Sequence, residues 1–177
     1  TPTCTFTDTS GAMDDTSVTY GTVSSTDHHT AAVTVHDSDA NGAIGFSCTY
    51  SDLAGNAIAS AITAATSGDI SIDNTHPTST SAVLSVSGSG NGQDGDVVTI
   101  TLDPSETVGT PTCTFTDTSG AMADTSVTYA TVGGTDHHTA AVTIDNTDAD
   151  GAVGFSCSYS DSAGNAIASA ITSASSG

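Results

Sequence analysis

The strongest constraint on this sequence is an internal repeat with a period of 109 residues. Residues 1–68 align without a gap with residues 110–177, and 54 of the 68 aligned pairs are identical. A period of that length corresponds to a whole domain rather than to one turn of a solenoid. Residues 69–109 occur once. We therefore expect tandem copies of one domain, and we expect this sequence to be a segment of a longer array.

The repeat predicts an incomplete and a near-complete domain. The first covers residues 1–76 and lacks its first strands, and the second covers residues 77–177. A sheet that lacks strands exposes unpaired backbone groups at its edge. We expect the missing strands to come from a preceding repeat or a neighbouring molecule, so that the chain associates with itself in an array.

The charge composition limits the partners of the chain. It has no Lys or Arg and 20 acidic residues, giving a net charge of -20. Ion pairs are therefore restricted to those that His makes, and binding to nucleic acid is disfavoured. No apolar run approaches the roughly 18 residues of a membrane span, so we predict no direct membrane insertion of this segment.

Period-two alternation dominates the chain and predicts an all-β fold of antiparallel sandwiches. Turn-forming runs such as Gly133-Gly134 separate the alternating segments. The segment 57–65 is rich in Ala, but we predict a strand there because Ile58 and Ile62 are too few to form a helical stripe. In the second domain the predicted strands are 82–86, 98–102, 112–116, 126–132, 139–144, 152–159 and 166–172.

The four cysteines lie in core phase on two predicted strands of each copy. The third and sixth strands are neighbours in an immunoglobulin-like sheet, so a disulfide across them is geometrically reasonable. Two buried free thiols are the alternative, and the absence of a CxxC pair disfavours zinc. The predicted disulfides are Cys4–Cys48 and Cys113–Cys157, and the partners of each are 44 positions apart in the sequence.

Two motifs resemble those of a known family. The segments Tyr50–Asn56 (YSDLAGN) and Ile72–Thr78 (IDNTHPT) are similar to the D-x-x-G-N and D-x-T-x-P motifs of bacterial immunoglobulin-like repeats in giant extracellular adhesins. The segment Val98–Val108 is similar to their second strand and the loop after it. The resemblance implies tandem immunoglobulin-like sandwiches at the cell surface or outside the cell.

The resemblance also implies a calcium site at the junction between units. Asp52, Asp73, and the Asp103 to Glu106 loop are the expected ligands. Carboxylates that come together without a basic partner raise one another's pKa unless a cation neutralises them. A solvated acidic face is the alternative reading of these residues.

A second candidate calcium site is the loop that begins at Asp37. Its D-x-D-x-N-G order brings alternate side-chain oxygens together, but Cys48 takes the place where an EF-hand has its bidentate Glu. An ordinary hairpin turn is the alternative. The candidate ligands are Asp37, Asp39 and Asn41 in the first copy, and Asp148 and Asp150 in the second.

A pair of adjacent histidines occurs in both copies, as His28-His29 and His137-His138. Neighbouring residues on a strand point to opposite faces, so one His of the pair should lie on the core side with Ala31 and Val33, and the other should face out. We expect a structural or surface role. Transition-metal binding between neighbouring molecules is the alternative.

No set of nucleophile, acid and base emerges, so we predict that the chain is not an enzyme. The leading hypothesis is an extracellular structural repeat protein that forms a stalk or filament, with Ca²⁺ stiffening the joints. The alternative is a ligand-binding adhesin module that recognises carbohydrate or a partner protein. Binding modules usually expose aromatic residues, and here only Tyr20 and Tyr129 fall outside the core phase.

Overall fold

The structure is a computed structural model that describes residues 2–24, 27–88 and 90–175. Within these ranges the chain is all-β, and every strand pair is antiparallel. No helix in the described part of the chain is long and apolar enough to cross a membrane. The chain forms two compact units, Thr1–Thr75 (unit 1) and His76–Gly177 (unit 2).

Unit 1 contains three two-stranded sheets. Strand β1 pairs with β5, β2 with β3, and β4 with β6. The strands are β1 (Thr3–Thr7), β2 (Thr19–Thr22), β3 (His29–Ala32), β4 (Gly42–Ala43), β5 (Gly45–Thr49) and β6 (Ser71–Ile72).

Unit 2 contains a four-stranded sheet of order β10-β11-β8-β7 and a two-stranded sheet β12-β9. Buried residues from both sheets form one continuous core, so the unit is a β-sandwich. Its strands are β7 (Ser79–Val86), β8 (Val97–Pro104), β9 (Thr112–Thr116), β10 (Thr128–Thr131), β11 (His138–Thr143) and β12 (Gly154–Ser158).

Strand β8 supplies the centre of this core. Its residues alternate between partly and fully buried along the whole strand, and Ile100 and Leu102 are 0% exposed. Phe115 and Phe155 of the facing sheet are also buried and belong to the same cluster. Burying an aliphatic or aromatic side chain contributes about 1.5–3 kcal/mol. The β7–β8 hairpin therefore provides a large share of the stability of unit 2.

The predicted strands 57–65 and 166–172 are not continuous strands. Each copy makes isolated bridges, for example Cys48 with Ile62 and Cys157 with Ile171. The amide and carbonyl of Ile62 bond to Cys48 at 2.9 Å in both directions. These segments consist mainly of Ala, Ser and Thr, and they are held by isolated bridges at Ala57 and Ile62 in one copy and at Ala166 and Ile171 in the other. Each segment pairs with the sheet only at isolated positions, because no alternating apolar face holds the residues between those positions against it.

Both predicted disulfides are present. Cys4 lies directly opposite Cys48 on strands β1 and β5, and Cys113 lies opposite Cys157 on β9 and β12. The strands that carry the cysteines are hydrogen-bonded neighbours, as expected from their places as the third and sixth strands. Each disulfide therefore fixes the register of the pair at one point.

Replacing Cys113 and Cys157 together by Ala should lower the free energy of unfolding by about 4 kcal/mol, because the disulfide closes a long loop in the unfolded chain. Urea denaturation measures the loss, with Ser156→Ala as a control on the same strand. Intact mass after alkylation without reductant should show no labelled thiol. Labelled cysteines in the native protein would contradict the pairing.

Candidate functional site

The D-x-x-G-N motif forms the same carboxylate-centred turn in both units. In unit 2, Asp161 Oδ1 accepts hydrogen bonds from the backbone N–H of Gly164 at 2.8 Å and of Asn165 at 2.9 Å. The side-chain amide of Asn165 donates to Oδ2 at 2.8 Å. Gly164 has a φ of 99°, a conformation that a side chain would strain. The motif residues therefore have a structural role in shaping this turn.

Asp52 forms the corresponding turn in unit 1. Its Oδ1 accepts hydrogen bonds from the backbone N–H of Ala54 at 2.9 Å and of Asn56 at 2.8 Å. The Asn56 side-chain amide donates to Oδ2 at 2.8 Å. These bonds, with that of the Asn56 side chain the strongest, hold the pKa of Asp52 below its usual value.

Asp161 lies beside the only glutamate of the chain. Carboxylate oxygens of Glu106 and Asp161 lie within 4.8 Å of each other, and a backbone bridge between Val108 and Asp161 holds the two segments together. Asp161 is 8% exposed. Its burial raises the pKa, but the hydrogen bonds from Asn165 and Gly164 outweigh that effect and leave the pKa below its usual value. The group is therefore held in its charged form.

Sequence reasoning named Asp52 for this site and missed Asp161. The repeat could have identified Asp161 as a candidate ligand, because it is the copy of Asp52 that belongs to the same unit as Glu106. Asp73 follows strand β6 in unit 1, where its Oδ1 accepts a hydrogen bond from the backbone N–H of Thr75 at 3.0 Å. Asp103, on strand β8, has its Oδ1 at 3.1 Å from Nε2 of His137.

The loop that begins at Asp37 is ordered by hydrogen bonds from backbone amides. Asp39 is 4% exposed, and its two carboxylate oxygens accept bonds from the N–H groups of Asp14 and His36, both at 2.8 Å. Asn41 Oδ1 accepts a bond from the N–H of Asn74 at 2.7 Å. Asp37 is exposed. These bonds account for Asp39 and Asn41 as residues that order the loop, and calcium binding there stays a prediction.

The second copy of this loop repeats the arrangement. Asp148 accepts hydrogen bonds from the N–H groups of Ala123 at 2.7 Å and Asp145 at 2.8 Å. The backbone carbonyl of Asp150 accepts a bond from the hydroxyl of Thr118 at 3.0 Å. The loop therefore keeps its shape even though its sequence changes from His36-Asp37-Ser38 to Asp145-Asn146-Thr147.

Asp8 and its copy Asp117 tie separate loops together, and sequence reasoning did not single them out. Asp117 accepts hydrogen bonds from the N–H of Ala149 at 2.8 Å, and from Ser119 and Gly120. The bond from Ala149 contributes most to lowering its pKa from 3.8 to about 2. Asp8 makes the same bonds in unit 1, with a pKa also near 2, chiefly through the N–H of Ala40. These carboxylates stabilise the fold only while they are ionised.

The paired histidines divide between two faces of the sheet in unit 2. His138 is buried on strand β11, in phase with Ala140 and Val142, which are also buried. His137 is partly exposed and contacts Asp103. The expectation that one His of the pair lies on the core side is therefore confirmed for this copy.

The two tyrosines outside the core phase bind the backbone beside the disulfides. The hydroxyl of Tyr20 accepts a hydrogen bond from the N–H of Cys4 at 2.8 Å, and that of Tyr129 accepts one from the N–H of Cys113 at 3.0 Å. Each hydroxyl also donates to the carbonyl of the same cysteine, at 3.4 and 3.3 Å. These bonds fix both hydroxyls to the backbone beside the disulfides, while Tyr20 stays 40% exposed and Tyr129 37% exposed.

Comparison of the chain with protein-family profiles, curated proteins and solved structures found no match.

Acid should destabilise the chain through Asp8 and Asp117. Their pKa is lower in the folded state than the ordinary 3.8, so their contribution is complete above that value and is lost as pH falls toward about 2. We expect the melting temperature to fall steeply between about pH 4 and pH 2. The Asp117→Asn variant should have a lower melting temperature than the parent at pH 7. Its melting temperature should also fall less than that of the parent on acidification.

The exposed Asp94→Asn serves as the control, and its acid profile should match that of the parent chain. An Asp117→Asn variant with the parent's full loss of melting temperature between pH 4 and pH 2 would contradict the role given to this carboxylate.

Proposed function

We propose that this chain is an extracellular structural repeat protein that forms a stalk or filament from tandem immunoglobulin-like sandwiches. One observation carries the proposal. Two units that share 54 of 68 aligned residues also share the same disulfide in the same strand register. Near-identical tandem units multiply length, whereas an enzyme needs only one copy of its site.

The chemistry of the chain supports a location outside the cell. Disulfides persist in oxidising compartments and are rare in the cytosol. Both cysteine pairs are oxidised in the structure. With no Lys or Arg in the sequence, the folded chain relies on disulfides, backbone ladders and carboxylate-to-amide hydrogen bonds, and all of these tolerate high salt better than exposed ion pairs do.

The disulfides suit a mechanical role. Each joins residues 44 positions apart on adjacent strands, so a pulling force cannot extend the chain between them. At roughly 3.3–3.6 Å per extended residue, each disulfide withholds about 150 Å of chain from stretching. A unit that begins to unfold under load therefore stays short.

Calcium is the cation that the carboxylates fit best. Ca²⁺ takes carboxylate oxygens at about 2.3–2.6 Å, so two ligands across the ion lie up to about 5 Å apart. The oxygens of Glu106 and Asp161 lie within 4.8 Å. Because the sequence has no Lys or Arg to neutralise them, a divalent cation is the natural partner. We propose that it stiffens the chain where the Asp103 to Glu106 loop meets the D-x-x-G-N turn.

Electron microscopy of the native material tests the proposal. We expect long fibres with a regular axial repeat, because tandem units add length in one direction. In a chelator the fibres should remain but bend more, and added Ca²⁺ should straighten them again. Glu106→Gln should make the fibres flexible with or without Ca²⁺, whereas Asp94→Asn should behave like the parent.

The two parts of the proposal fail separately. Dispersed globular particles in native material would contradict the stalk or filament. Fibres whose bending does not respond to chelator would contradict the calcium joint and leave the structural role in place.

A further inference from the structure

The same six-residue sequence, HTAAVT, has two different environments in the two units. In unit 2 it forms all six residues of strand β11, from His138 to Thr143. In unit 1 the copy begins strand β3 at His29, but the strand ends at Ala32, two residues earlier. His138 is 7% exposed, whereas His29 is exposed. Because the sequences are identical, the difference comes from what packs beside them.

The apolar residues around β3 line an open groove in unit 1. The groove has a volume of about 450 Å³, and its walls include Phe46, Cys48, Tyr50 and Ile62. Tyr50 is 48% exposed, whereas its copy Tyr159 is 4% exposed. The copies of Phe46 and Cys48, which are Phe155 and Cys157, are likewise buried in unit 2.

In unit 2 the β7–β8 hairpin covers this face. Strand β8 pairs with β11 over the full six residues, from His138 opposite Leu102 to Thr143 opposite Val97. The core residues Ile100 and Leu102 lie on this strand. The hydroxyl of Tyr159 donates a hydrogen bond to the carbonyl of Thr78, just before β7, at 3.1 Å.

We propose that the groove of unit 1 binds a further β7–β8 hairpin, with the sequence of residues 76–109, supplied by a neighbouring unit of the same repeat. The HTAAVT and GFSC segments, which pack with the hairpin in unit 2, have the same sequence in unit 1, whereas Ile144, which bonds to the hairpin, corresponds to Val35. Added strands give affinity through backbone hydrogen bonds and specificity through alternate side chains. The proposal names the contact that joins units in the array, and it assumes the array given under the proposed function.

The register of the added strand follows from unit 2 by subtracting the 109-residue period. Strand β3 and the two residues after it would pair with a second copy of β8. The expected pairs are His29 with Leu102, Thr30 with Thr101, Ala31 with Ile100, Ala32 with Thr99, Val33 with Val98, and Thr34 with Val97 of the added hairpin.

The hairpin must be additional to the one that this chain already holds. The sequence contains one β7–β8 hairpin and two copies of the face that it covers. Exchange of hairpins between identical copies of residues 1–177 would cover one face and uncover another. Simple domain swapping therefore leaves the groove of unit 1 open, and a further copy of the hairpin segment closes it.

Two probes test the proposal on the full chain. The first is a synthetic peptide of residues 76–109, which should form a 1:1 complex visible by native mass spectrometry. Ile100→Asp and Leu102→Asp peptides should fail to bind, since these side chains enter the core. A Val83→Asp peptide should still bind, because Val83 is 45% exposed on the hairpin.

The second probe is an extended chain in which residues 69–109 are placed a second time, directly before residue 1. It avoids the cost of ordering an isolated hairpin, which is marginal on its own. In both experiments the nitration rate of each of the four tyrosines shows whether the hairpin covers the groove of unit 1. Tyr50 should react readily in the parent chain and fall to the rate of Tyr159 once the hairpin is present, while Tyr20 and Tyr129 keep equal rates.

Two results would overturn the proposal. In the first, Tyr50 keeps the parent's reactivity in the extended chain, which would show that the hairpin does not occupy the groove. Alternatively, Tyr50 of the parent chain becomes protected as its concentration rises and dimers form, which would show that a second whole copy covers the face. Regular fibres in native material would still support the structural array in either case.

Discussion

Strand β8 is the element on which the sandwich of unit 2 depends. It pairs with β7 on one side and β11 on the other, and its buried side chains meet the disulfide-bearing sheet. Ile100 and Leu102 are fully enclosed there. A sheet face with apolar side chains is stable in water only when another layer covers it. The single hairpin between the two repeat copies therefore decides which copy has a closed core.

The absence of Lys and Arg explains how the loops are held. Carboxylates elsewhere in proteins often meet basic side chains, but here they accept hydrogen bonds from backbone N–H groups. Asp117, Asp148 and Asp161 each collect such bonds from two or more residues. A carboxylate bonded to several amides prefers its charged form. Acidic residues thus order the turns between strands, and Glu106 brings a second carboxylate toward Asp161 in unit 2.

Much of the fold could be predicted from period-two alternation. The phase of Cys113 and Cys157 located the core side, and the expected order of the strands placed the two cysteines on neighbouring strands. The segment 166–172 did not form a strand, because its apolar residues are too sparse to sustain a face. The bonds of Asp117 to a distant loop and of Tyr129 to Cys113 depend on tertiary contacts that no local pattern records.

The contrast between β3 and β11 is not recorded in their local sequences, which are identical, and only the long-range repeat, with its expectation that residues 1–76 lack strands, pointed to it. The difference arises from the partner strand, which tertiary structure supplies to one copy and not to the other. The candidate calcium site likewise depends on tertiary neighbours that the local sequence does not record. Asp52 and Asp161 have the same local motif, and only the fold shows that Asp161 lies beside Glu106.

Hydrogen exchange at the shared GFSC segment tests the central claim most directly. Residues 45–48 and 154–157 have the same sequence, the same disulfide and the same pairing with a TCTFT strand. Because burial of even one apolar side chain contributes about 1.5–3 kcal/mol, the amides of 154–157 should exchange more than about tenfold more slowly than those of 45–48. Equal exchange rates in the two segments would contradict the claim that the β7–β8 hairpin determines the stability of each unit.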